Sequence, residues 1–221
     1  MKVWLTKDQQ VIILHGEHNG YITTIEKKKD LIVNFEYSEL KTKVHLPNGD
    51  YIPTLEEYLM ACKGKLRVNI ELKGKNLELL NKVFPILQKT KMLGSIGFSS
   101  FHHPFYERFL DLKRNLKIKE EICFGFLMWK EEECKQFFGK MPKRFNENKN
   151  SVNLEITILL KFRWIREKVK ELKQKGITVA IYYPFVLKET FQNCRFLSDL
   201  GVDTAICNDP MVIKKFNGYF D

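Results

Sequence analysis

From about residue 53 onward the hydrophobic positions follow two alternating textures. Short apolar or β-branched runs bounded by polar residues predict strands at 66–72, 96–101, 122–127, 152–158, 177–183 and 203–207. Between them, apolar residues three and four apart predict helices near 77–89, 106–115, 131–138, 163–175 and 187–200. The clearest is 163–175, where Ile165, Val169 and Leu172 form the stripe and Gly176 is a fitting stop. An earlier helix opens at Pro53, with Thr54 as N-cap and Glu57 three residues on, the pattern of a capping box. Pro85 falls inside the 77–89 helix, where its missing amide hydrogen predicts a kink. Repetition of β then α fits a parallel sheet, either doubly wound or closed as a (β/α)8 barrel. No GxGxxG or Walker-type loop is present, which weighs against a nucleotide-binding doubly wound sheet. In a barrel the C-terminal strand ends carry the chemistry, which singles out Glu71, Lys73, Ser99, Ser100 and Glu155.

The chain has 221 residues, a length that suits a single domain, and its 44% hydrophobic and 29% charged composition is that of a globular protein. No apolar run reaches the ~18 residues of a membrane helix. The first eight residues hold no apolar stretch of signal-peptide length, so a cytoplasmic location is the default expectation. Five cysteines, Cys62, Cys123, Cys134, Cys194 and Cys207, are odd in number and form no CxxC pair, which argues against a disulfide scaffold or a zinc site. The formal charge of +10 favours anionic partners. No RNA-binding motif or recognition helix accompanies it, so nucleic acid is not an expected partner. The Lys27-Lys28-Lys29 run reads as a solvated loop, with weak contact to an anionic membrane as the alternative. His102 and His103 read as a polar loop after a strand. Trp129, Tyr182 and Tyr183 read as core or rim packing, with a headgroup pocket as the alternative.

Five segments carry a resemblance. They are Val3-Trp4-Leu5-Thr6-Lys7-Asp8 with Val11-Ile12-Ile13-Leu14-His15; Ile52-Pro53-Thr54-Leu55-Glu56-Glu57-Tyr58-Leu59; Val68-Asn69-Ile70-Glu71-Leu72-Lys73; Phe98-Ser99-Ser100-Phe101; and Gly201-Val202-Asp203-Thr204-Ala205-Ile206-Cys207-Asn208-Asp209-Pro210. In this order, across nearly the whole chain, they resemble the glycerophosphodiester phosphodiesterase family. The resemblance implies an α/β fold, a (β/α)8 TIM-like barrel. It has a small insertion after its second strand, here residues 16–50 within a single domain 1–221. It also implies a hydrolase of lipid metabolism that cleaves a small glycerophosphodiester, such as glycerophosphocholine, to an alcohol and glycerol phosphate. Ca²⁺ or Mg²⁺ held by carboxylates, with two histidines as general acid and base, would belong to that chemistry.

Carried over by residue, the resemblance places His15 at the second catalytic histidine, with Gly16 where an Asp usually follows. Glu71 falls at the metal-binding glutamate of the third strand. Lys73, two residues on and therefore on the same face of that strand, is a candidate phosphate contact. The departures are large. The His-Arg-Gly strand and the Glu-Asn-Thr helix that open the family have no counterpart. The chain thus reads as lacking the first strand and helix, an incomplete version of a longer protein. Of the Glu-x-Asp pair on the family's second strand, the Asp position is Lys2 and the Glu position falls before Met1. Two functions are expected from this: a glycerophosphodiester hydrolase, or a non-catalytic barrel that binds a phosphate ligand or a protein partner.

Overall fold

The strand–helix alternation is present in the computed structural model, which describes residues 1–17, 19–25, 27–145, 148–184 and 186–217. The chain divides into two units, Met1–Phe124 and Gly125–Asp221.

The first unit opens with a hairpin. Strand β1 (Lys2–Leu5) pairs antiparallel with β2 (Val11–Ile13), in the register Val3↔Ile13. The segment 16–50, irregular in the sequence reading, is built of a second hairpin, β3 (Tyr21–Thr23) with β4 (Lys29–Leu31), and helix α1 (Tyr37–Lys43). The α1 start is secured by reciprocal bonds between Glu36 and Glu39. The segment is fastened to β1 and β2 through one buried cluster in which Trp4 and Ile12 meet Ile22, Ile32, Phe35, Leu40, Val44 and Ile52. Lys29 of the lysine run is ion-paired with Glu17 at 2.6 Å and lies over the Tyr21 ring.

Gly20 is the tight point of this packing. Its φ of +82° is a left-handed value, and a β-carbon there would stand 2.8 Å from Cζ3 of the buried Trp4 ring. Gly20→Ala is therefore expected to destabilise the chain by about 1–3 kcal/mol, read from the midpoint of urea unfolding. A midpoint equal to that of the parent would show that the ring yields without cost.

Helix α2 (Leu55–Cys62) begins at the predicted cap. Thr54 Oγ accepts from the Glu57 amide at 3.2 Å, and the Thr54 amide donates to Glu57 Oε2 at 2.7 Å. Strand β5 (Val68–Leu72), helix α3 (Glu78–Thr90), strand β6 (Ile96–Ser100) and helix α4 (Phe105–Asn115) follow, with Pro85 inside α3. The strand order is β6-β5-β1-β2, with β5 parallel to both β6 and β1. Phe84, Phe98, Tyr106, Phe109 and Phe124, all fully buried, form an aromatic core between α3, α4 and the sheet. Gly97 lets Cys123 approach β6, since a β-carbon there would meet Cys123 Sγ at 2.6 Å.

The second unit repeats the β-α pattern. Apart from Phe124, which ends the first unit, it contains β7 (Phe124–Met128), α5 (Glu131–Gly139), β8 (Asn150–Glu155), α6 (Ile156–Lys161), α7 (Arg163–Gln174), β9 (Thr178–Tyr182), α8 (Phe191–Asp199), β10 (Thr204–Ile206) and α9 (Pro210–Asn217). Its strand order is β10-β9-β8-β7, with β8, β9 and β10 parallel. The predicted stripe of Ile165, Val169 and Leu172 is the buried face of α7. Two boundaries differ from the sequence reading by more than two residues. The strand predicted to 158 stops at Glu155, and Ile156, Ile158 and Leu159 are buried from a helix instead. Helix α8 starts at residue 191 rather than 187, because Thr190 caps it, its hydroxyl accepting from the Asn193 amide at 3.1 Å. Among the described residues no helix is long and apolar enough to cross a membrane.

Candidate active site

Strand β5 sorts its residues by face. Val68, Ile70 and Leu72 are buried, while Asn69, Glu71 and Lys73 alternate with them and share the other face. The register sets Lys2 of β1 opposite Glu71, and Glu71 opposite Ser99 of β6. Lys2, Glu71 and Ser99 thus form a row across three adjacent strands. The β1–β2 hairpin returns His15 to this row, with the Leu14 amide donating to the Lys2 carbonyl at 3.2 Å.

The side-chain contacts fall in groups along this row. Lys2 Nζ lies 2.6 Å from His15 Nε2, and His15 Nδ1 lies 2.7 Å from the Gly16 carbonyl oxygen. Lys73 Nζ lies 2.8 Å from Glu71 Oε1, with only 12% and 14% of the two side chains exposed. It also sits 5.4 Å from the centre of the Phe101 ring. Asn69 Nδ2 donates to Ser99 Oγ at 3.0 Å. Ser100 Oγ donates to the Leu72 carbonyl at 2.8 Å and accepts from the His102 amide, which ties the end of β6 to the end of β5.

Charge fixes the protonation pattern. An ammonium can only donate, so Nε2 of His15 is the acceptor and the ring hydrogen is on Nδ1, where it donates to Gly16. His15 is therefore neutral in this arrangement. Partial burial holds the Lys2 pKa below its usual value; Lys73 adds to that, and Glu71 opposes it. Glu71 Oε1 is buried and close to Lys73, yet among the described residues no donor is aligned on it as a hydrogen bond.

The sequence of residues 2–212 matches the glycerophosphoryl diester phosphodiesterase family. The chain belongs to that family. Solved structures show the same α/β, TIM-barrel-like fold. A Galdieria sulphuraria protein assigned as a glycerophosphodiester phosphodiesterase is 21% identical, with a TM-score of 0.74 over 97% of this chain and 83% of its own. A glycerophosphodiester phosphodiesterase from Parabacteroides distasonis is also 21% identical, with a TM-score of 0.71 over 100% of this chain and 83% of its own. One from Thermotoga maritima is 23% identical, with a TM-score of 0.63 over 93% of this chain and 79% of its own. No curated protein sequence matches significantly.

The divalent ion that the family resemblance implies does not fit these residues. Ca²⁺ takes six to eight oxygen ligands, and Mg²⁺ takes six in strict geometry. Among the described residues no three His, Cys, Asp or Glu side chains converge to hold an ion. Glu71, the one carboxylate of the cluster, is already opposite a lysine on two sides: Lys73 by contact and Lys2 by register. An ion ~4 Å from the Lys2 ammonium would meet repulsion of about 4 kcal/mol per unit of its charge near a protein surface.

His15, Glu71 and Lys73, the residues predicted from the phosphodiesterase motifs, are thus brought together, with Lys2 among them. Asn69 and Phe101 were missed; for Asn69 the same period of two that joins Glu71 to Lys73 carries the signal. His102 packs its ring edge-on against Phe105 at 5.5 Å, and burial lowers its pKa. Glu155 accepts from the Thr157 hydroxyl at the start of α6. Tyr182 donates to the Met128 carbonyl at 3.0 Å, and Trp129 lies under the Lys130 ammonium. Tyr183 is buried, which raises its pKa.

Proposed function

We propose that this phosphodiesterase-family chain binds a small glycerophosphodiester with its phosphate at Lys2 and Lys73, and hydrolyses it to an alcohol and glycerol phosphate. The contact between Lys2 and His15 carries this reading, because it puts a phosphate-binding cation and a proton-transfer group side by side. A phosphoryl oxygen that accepts the Lys2 hydrogens releases Nε2 of His15. The freed nitrogen takes a proton from the attacking water and passes it to the departing alcohol oxygen. Water oxygen ends on phosphorus, and the ester bond to the alcohol breaks. Lys73 stabilises charge on the phosphoryl oxygens as a point charge. The same reading takes 1–221 as one domain with 16–50 inserted, located in the cytoplasm.

A second reading, a non-catalytic phosphate-binding barrel, is favoured by Lys2 standing where the family resemblance calls for a carboxylate. One assay separates them: release of glycerol 3-phosphate from glycerophosphocholine by the folded chain. Turnover is expected, and Lys73→Met is expected to lower kcat/KM about 10–100-fold, the loss of one charge-assisted contact. Binding of the diester without turnover would replace the enzyme with the second reading.

A further inference from the structure

We infer that the Lys2 ammonium takes the place of a divalent cation in this chain, so that phosphate esters are held at the β1–β5 site without metal. The inference rests on the reading of the cluster as a phosphate site and goes further by naming what supplies the positive charge.

The argument begins with balance. Among Lys2, His15, Glu71 and Lys73, two ammonium groups face one carboxylate, and His15 is neutral. With the Met1 amine also present, donating to the Asn69 carbonyl at 2.8 Å, at least one positive charge is left over, which complements the negative charge of a phosphate ester. The excess is fixed by geometry. Lys73 is held to Glu71 at 2.8 Å, and the backbone register places Lys2 on the strand beside them. Lys2 is oriented as well as charged, because His15 accepts one of its hydrogens. An ammonium carries three donors. Two therefore remain for phosphoryl oxygens, and the third becomes available when a ligand displaces the histidine contact. A dication at the same point would raise the charge of an already cationic cluster, with a lysine-bound carboxylate as its ligand.

The two arrangements predict opposite effects of a chelator. Glycerol 3-phosphate is titrated into the full chain by calorimetry, once in EDTA and once in Ca²⁺. The affinities are expected to agree within about twofold. Lys2→Met is expected to weaken binding at least about tenfold in both media, the scale of one lost charge-assisted hydrogen bond. Lys2→Arg keeps the cation and is expected to retain binding within about threefold, which distinguishes loss of charge from loss of fold. Lys2→Asp is expected to lose binding in both media, because two carboxylates, one of them ion-paired with Lys73, still fall short of the oxygen ligands that Ca²⁺ takes. Parent binding that strengthens tenfold or more with Ca²⁺ would overturn the inference while leaving the phosphate site in place. Lys2→Met binding as well as the parent would overturn it too. A parent chain that binds glycerol 3-phosphate in neither medium would overturn both the inference and the reading on which it rests.

Discussion

His15→Ala is expected to lower the turnover of glycerophosphocholine by about 10²–10⁴-fold, the range for loss of a positioned proton-transfer group. The effect should fall on kcat. His15 is neutral beside Lys2 and is not the charge that holds phosphate, so KM should stay within about threefold. Its ring is exposed, so the variant loses no core packing, and an unchanged melting temperature is the direct control. A parallel fall in binding would make the orienting of Lys2 the larger of its two roles. A drop smaller than about threefold in a chain that turns over would remove His15 from the chemistry.

Phe109→Ala is expected to destabilise the first unit by about 3–5 kcal/mol, the usual cost of removing a fully buried phenylalanine. Its ring centre lies 5.6 Å from Phe98, 5.9 Å from Phe124, 6.2 Å from Tyr106 and 6.3 Å from Phe84. Deleting it leaves four rings facing a void that none can fill without leaving its own contacts. The loss should appear as a lower urea midpoint with an unchanged slope. Activity per folded molecule should persist, because Phe98 is on β6 next to Ser99 but points to the opposite face from the site. A midpoint shift worth less than about 1 kcal/mol would show that the core re-forms around the gap.

Periodicity explains what could be read in advance. The stripe of α7 and the Thr54–Glu57 cap are local signals, and local signals determine those elements. Residues 156–158 were misread because Ile-Thr-Ile has the β-branched texture of a strand, whereas burial of Ile156, Ile158 and Leu159 is achieved from a helix. The 16–50 segment was opaque because its strands are three residues long and its hydrophobic contacts reach back to Trp4 and Ile12, far away in sequence. His15, Glu71 and Lys73 were legible as parts of motifs. The Lys2–His15 contact was not, since it depends on the β1–β2 register, and a one-residue slip would send one side chain to the other face.

Gly16 bears on how this site can change over generations. Its φ is +61°, and a β-carbon there would lie 3.2 Å from both Trp4 and Ile32. The carboxylate that the family resemblance calls for at this position would have to enter a left-handed backbone against that wall, while the Gly16 carbonyl is already taken by His15. Exchanging Lys2 alone for an acid would leave this second position closed, and exchanging Gly16 alone would set a new carboxylate against packing that has formed without it. Recovering both carboxylates would therefore need two exchanges, the second together with repacking of Trp4 and Ile32.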